Sequence, residues 1–92
     1  MIRSFRCKKT AQLFQDMRVK EFSAIETQAR KKLLILDAMK EIKDLESPPG
    51  NHLEKLRGDR EGQYSIRINS QWRVCFVWDD QGPKDVEIVD CH

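Results

Sequence analysis

Residues 52–76, HLEKLRGDREGQYSIRINSQWRVCF, hold five Lys or Arg side chains, with His52 and Glu54 at their head. A second histidine, His92, follows Asp90 and Cys91 at the far end of the sequence. Together these types can cut RNA without a metal. A base takes the proton of a 2′-hydroxyl, whose oxygen attacks the adjacent phosphorus. Cations stabilise the extra charge on the phosphorane, and an acid protonates the departing 5′-oxygen. The products would be a 2′,3′-cyclic phosphate and a 5′-hydroxyl. An exposed carboxylate is a weak base; shielding from water strengthens it and a neighbouring cation weakens it. Imidazole titrates near neutrality and can act as base or acid.

Competing chemistries find little support. No glycine-rich phosphate loop, G-x-S-x-G elbow or paired His/carboxylate metal spacing is present. The two histidines stand forty residues apart, so a metal site would need folding alone to bring them together. Neither a metal nor another cofactor is expected.

The arginines take their meaning from the elements that carry them. In QYSIRI, Tyr64, Ile66 and Ile68 alternate with Gln63, Ser65 and Arg67. In WRVCFVW, Trp72, Val74, Phe76 and Trp78 alternate with Arg73, Cys75 and Val77. A period of two predicts strands with one apolar face each. For Ile68 and Trp72 to share that face the loop needs an odd residue count, most simply Asn69-Ser70-Gln71. Ile68 then opposes Trp72, and Arg67 opposes Arg73 on the other, solvent-facing side. Like charges so placed cost up to about 1 kcal/mol. Glu54 or Asp90 could neutralise them, but a phosphate fits the guanidinium fork better.

Further elements frame this hairpin. MIRSF suits a short edge strand, and KKTAQLFQDM places Ala11, Phe14 and Met17 at helical spacing. Ser23 and Glu26 form a capping-box pattern ahead of a longer helix. Its stripe is Ile25, Ala29, Leu33, Leu36, Met39, Ile42 and Leu45, and SPPGN ends it. After the hairpin, DDQGPK reads as a turn and DVEIVD as a third strand, with Val86 and Ile88 facing the core. This order predicts an α+β fold: two N-terminal helices on a small, mainly antiparallel twisted sheet, one domain over residues 1–92.

Hydrophobic residues at 39% and charged residues at 35% predict a soluble globular chain. The longest apolar runs, LLIL and VCFVW, are far shorter than a membrane span, and MIRSFRCKK lacks the apolar stretch of a signal peptide. Cysteines at 7, 75 and 91 match no zinc or redox spacing, so a cytoplasmic protein with reduced thiols is expected. Residues 1–46 carry eleven Lys/Arg against seven Asp/Glu, whereas residues 79–92 carry one against five. A polyanion partner is compatible with that asymmetry, as is a solvated surface of mixed charge.

LEKLRGDREGQYSIRINSQWRVCF, followed by a strand ending in DCH, resembles the RelE-type superfamily of bacterial toxins, and most closely its HigB branch, the plasmid-maintenance killer proteins. The resemblance spans nearly the whole chain, from MIRSF through the L-x-G-x-x-x-G loop and the SIRIN-x-x-WR hairpin to His92. It implies a RelE-like microbial ribonuclease-type fold and an endoribonuclease that enters the A site of the 70S ribosome and cuts the bound mRNA. It also implies a cognate HigA-type antitoxin, a helix-turn-helix protein through which the complex would bind operator DNA.

Carried over by position, the resemblance makes Glu54 the general base, with His52 as its rival. Arg73 becomes the group that meets the scissile phosphate, and His92 the general acid. Asp90 would orient His92 or pair with an arginine. Arg67 and Arg57 would hold flanking phosphates, and Lys55 and Arg60 could meet ribosomal RNA. Cys91 departs from the pattern, since relatives carry Tyr there, in D-Y-H, where a ring can stack on a base. A thiol stacks poorly, so weaker activity or another base contact is expected. Two alternatives stay open: a gyrase-inhibiting toxin of the same fold, as in the ParE branch, or a non-catalytic module binding RNA or protein.

Overall fold

The computed structural model describes residues 1–46 and 49–90. Two helices, α1 (Lys8–Phe14) and α2 (Glu26–Ala38), precede four strands: β1 (Glu54–Lys55), β2 (Tyr64–Arg67), β3 (Trp72–Asp79) and β4 (Gly82–Asp90). The strands form one antiparallel sheet in the order β1-β2-β3-β4. The expected α+β architecture is therefore present. The segment foreseen as an edge strand does lie along β4, through one parallel bridge between Phe5 and Val86. Ser4 O accepts from Val86 N at 3.1 Å, and Arg3 N donates to Pro83 O at 2.9 Å.

One face of the sheet is apolar because the strand period is two. Ile66, Val74, Phe76 and Val86 are fully buried there against Leu13, Ala29, Leu33 and Leu36. Each such side chain contributes about 1.5–3 kcal/mol by leaving water. The hairpin register is the one that parity predicts, with Ile66 opposite Val74 and Arg67 opposite Arg73.

The helices depart from their predicted limits. Ser23 caps nothing; it sits exposed in a 3-10 turn over Lys20–Ile25, and no side chain caps α2. That turn buries Phe22 and Ile25, and Phe22 meets Trp72 edge-on at 5.7 Å. Burial of this size outweighs a cap of about 1 kcal/mol. α2 stops at Ala38 because Met39 is extended, with ψ 138°. A helix continued to Leu45 would run on by about 10 Å. Instead the chain folds back through a 3-10 turn, Ile42–Glu46, that buries Leu45 completely. In α1 the buried residues are Thr10 and Leu13, while Met17 lies beyond the helix end and is exposed.

The turn between β3 and β4 is tighter than DDQGPK suggested, since Asp79 already pairs with Gly82. The register then shifts between Cys75 and Val77, and Asp85 takes up the extra residue at φ 52°. Its N–H turns to Ser4 Oγ at 2.9 Å. The bulge lets Pro83 and Val86 both face the core.

Candidate active site

Alternation sends Ser65, Arg67, Arg73, Cys75 and Glu87 to the face away from the helices. That face is less open than the sequence suggests: Ser65 and Cys75 are buried. The segment leading into β2 folds across them, because Arg60 Nη1 reaches Glu87 Oε1 on β4 at 2.7 Å. The same nitrogen meets Gln63 at 3.2 Å. At the hairpin end of the face Arg67 and Arg73 stay partly exposed.

Arg73 is held there from several sides. Its Nε donates to Ser65 Oγ at 2.7 Å, and Nη2 donates to the carbonyls of His52 and, at 3.4 Å, Ser65. Nη2 also stands 3.9 Å from Glu54 Oε2. The Arg73 side chain is 12% exposed and that of Glu54 59%. A guanidinium fixed by neutral acceptors keeps its charge and loses its freedom, the condition for electrostatic stabilisation without reorganisation.

The His52 carbonyl reaches Arg73 because His52 takes a left-handed backbone, φ 44°. Such a conformation costs a non-glycine residue roughly 1 kcal/mol and needs support from its neighbours. Asn51 supplies it. Fully buried, Asn51 donates to Leu45 O at 3.2 Å and accepts from Lys32 Nζ at 2.6 Å. Burial, and then the charge of Lys31, push the Lys32 ammonium below its ordinary value of 10.5.

A cleft of about 350 Å³ opens between these groups, lined by His52, Glu54, Arg67, Asn69, Ser70 and Arg73. Four of the sequence-predicted site residues thus meet in one place. Glu54 neutralises Arg73, and among the described residues no carboxylate pairs with Arg67. Arg57 is exposed ahead of the 3-10 turn Gly58–Arg60 and does not line the cleft. Asp90 is the register partner of Trp72, accepts from Gln71 Nε2 at 3.1 Å, and lies outside the lining. Cys91 and His92 fall outside the described residues.

Asn69 and Ser70 escaped the sequence reading, where they served only as loop. Their signal was present: an asparagine at the start of a tight turn accepts from the backbone ahead of it. A larger groove of about 500 Å³ runs along α2 beside Leu34, Ile35 and Met39, but no acid or imidazole lines it. Among the described residues, no group of three His, Cys, Asp or Glu side chains could hold a metal ion.

Comparison with known proteins bears on the family and the fold. The family model for the RelE-like toxin of the type II toxin-antitoxin system HigB matches residues 3–92. Toxin HigB-1 of Vibrio cholerae is 48% identical over 58 residues, which cover 63% of this chain and 61% of that protein. An uncharacterised Haemophilus influenzae protein is 42% identical over 50 residues, 54% of this chain and 50% of the relative. The matched stretches thus span about half to three-fifths of those relatives. Among solved structures, the YoeB-YefM complex from Staphylococcus aureus contains a chain that superposes with a TM-score of 0.52. That match has 25% identity and covers 99% of this chain and 94% of that one.

Proposed function

The chain belongs to the HigB-like family of RelE-like toxins of type II toxin-antitoxin systems, and from that premise we propose that it is a ribosome-dependent endoribonuclease that cuts mRNA in the A site. The observation that carries the reading is the Glu54–Arg73 pair, 3.9 Å apart in a cleft shared with Arg67 and His52. In this reading Glu54 removes the proton of the 2′-hydroxyl, and the freed oxygen forms a bond to phosphorus. Arg73 meets the two equatorial oxygens as charge builds on them. Its other hydrogen bonds hold it ready, so little of the binding energy goes into ordering it. The P–O5′ bond then breaks, and His92 delivers a proton to the leaving oxygen.

Glu54 is preferred over His52 as base because its carboxylate stands against Arg73, where a bound phosphate would bring the ribose. His52 lines the same cleft and is the rival base. Asp90 orients His92, and Cys91 replaces the family's aromatic ring with a smaller contact. Arg57, on its exposed loop, meets a flanking or ribosomal phosphate. The reaction so written needs no metal. A cleft this small cannot fix a single strand alone, so ribosomal RNA supplies part of the positioning. The proposed setting is the cytoplasm, with a HigA-type helix-turn-helix antitoxin as the neutralising partner.

Purified protein added to translating 70S ribosomes, with 5′-ends mapped on the message, tests this. Cuts in phase with codons that vanish in Arg73→Ala and His92→Gln are the expected result. Intact message from the unaltered chain would refute the nuclease, and blocked DNA supercoiling by gyrase in the same preparation would put the gyrase-inhibitor reading in its place.

A further inference from the structure

Ser65, on β2, is fully buried, and the reaction scheme gives it no part. Packing alone does not ask for serine there. A pleated strand favours β-branched and aromatic residues, and a hydroxyl taken out of water costs stability unless it is bonded. The bond this hydroxyl makes is to Arg73, whose Nε donates to Ser65 Oγ at 2.7 Å. In the sheet Ser65 is the register partner of Glu54 on β1 and of Cys75 on β3. One small residue thus stands between the carboxylate and the guanidinium of the cleft, opposite the first and bonded to the second. The bond also decides which part of the guanidinium is free. Nε is taken by Ser65, and Nη2 by the carbonyls of His52 and Ser65, beside Glu54. Nη1, with two N–H donors, has no acceptor among the described residues.

We propose that Ser65 is a positioning residue: its hydroxyl turns the Arg73 guanidinium so that Nη1, and not the Nε edge, meets the anionic substrate. The proposal rests on the nuclease reading only for the identity of that substrate, the phosphate being cut. A free arginine can offer a phosphate either its Nε edge or the end that carries both Nη atoms. Here the Nε edge is already turned inward to β2. Fixed before the ligand arrives, the group needs no rearrangement as charge builds on phosphorus. Without the hydroxyl the fork can swing, and part of the binding energy goes into ordering it.

Ser65→Ala removes the hydroxyl and leaves both carbonyls that hold Nη2. Two measurements on the full chain read the result. In isotope-labelled protein, NMR follows the Nε–H of Arg73, assigned by its loss in Arg73→Lys. Its exchange with water should be about tenfold faster in Ser65→Ala, as expected for one lost hydrogen bond of a charged donor. The Nε–H of Arg30, which donates to Leu13 O at 3.0 Å, is the internal reference and should not change. In single-turnover cleavage on ribosomes the saturating rate should fall by about tenfold in Ser65→Ala, while the half-saturating concentration stays as it was. Equal exchange of the Arg73 Nε–H in the two proteins overturns the proposal. So does an equal acceleration at Arg30, which would mean a loosened fold. Unchanged cleavage by Ser65→Ala, where the unaltered chain cuts message, overturns it too. If the unaltered chain cuts no message the nuclease reading falls, and the exchange measurement alone decides whether Ser65 orients Arg73.

Discussion

The ammonium of Lys32 on α2 lies 2.6 Å from Oδ1 of Asn51, the fully buried residue that precedes the left-handed His52. A helix on one side of the sheet thereby steadies the carbonyl that receives Arg73 on the other. Asn51→Ala strands the Lys32 ammonium and the Leu45 carbonyl together. It should cost about 1–3 kcal/mol, read as a lower urea midpoint. Cleavage should fall further than the folded fraction does, because the His52 carbonyl loses its support. Lys32→Met, which removes the stranded charge, should recover part of the stability of Asn51→Ala in a double-mutant cycle.

Arg67 and Arg73 occupy register-matched positions, and Arg67 lacks a carboxylate partner among the described residues. Arg67→Thr should therefore raise stability, by up to about 1 kcal/mol, while lowering cleavage. Thermal unfolding would register this as a gain of up to about 4–8 °C for a domain of this size. A variant both less stable and less active would show that the opposed cations are not in conflict.

Arg60 reaches Glu87 across two strands, and Cys75 lies beneath at 2% exposure. Glu87→Gln weakens that latch. With Arg60 39% and Glu87 16% exposed, the loss should be about 1 kcal/mol, but the loop should open more often. Site-resolved mass spectrometry should find Cys75 alkylated faster in Glu87→Gln than in the unaltered chain, with Cys7 unchanged as the internal reference.

Asp79 fastens the N-terminal segment to the β3–β4 turn. The Gln81 backbone N–H beside it, together with Arg3 and Lys84, holds its carboxyl below the ordinary value of 3.8. A depressed carboxylate contributes stability that is present above its unfolded pKa and lost as pH falls through its folded one. Asp79→Asn should thus be the less stable protein at neutral pH. The gap should close only below about pH 4, in melts compared across the acid range. A gap that closes between pH 5 and 7 would assign the effect to another group.

The hairpin was legible because parity leaves few registers: once Ile68 and Trp72 must share a face the loop has an odd count, and the simplest such loop sets Arg67 opposite Arg73. The end of α2 was not. Met39, Ile42 and Leu45 keep the helical period and still pack on the core, though they reach it along a folded-back chain. Period reports which residues are buried, not the path that buries them. The covering of Ser65 and Cys75 was equally hidden, since it depends on Arg60 meeting Glu87, 27 positions away. Glu54, His52, Arg67 and Arg73 could be chosen by chemical type, whereas Asn69 could not. By type it is a turn residue, and only coordinates set that turn in the cleft.

The bulge at Asp85 reaches beyond the core it adjusts. Its amide is spent on Ser4, and Arg3 and Arg6 take the Pro83 and Val86 carbonyls of the same border. Naked borders invite foreign strands to zip on, and this one is hemmed by its own polypeptide. The opposite margin, β1, is two residues long and carries Glu54 and Lys55. A crowd of such molecules therefore offers little purchase for edgewise stacking into fibrils.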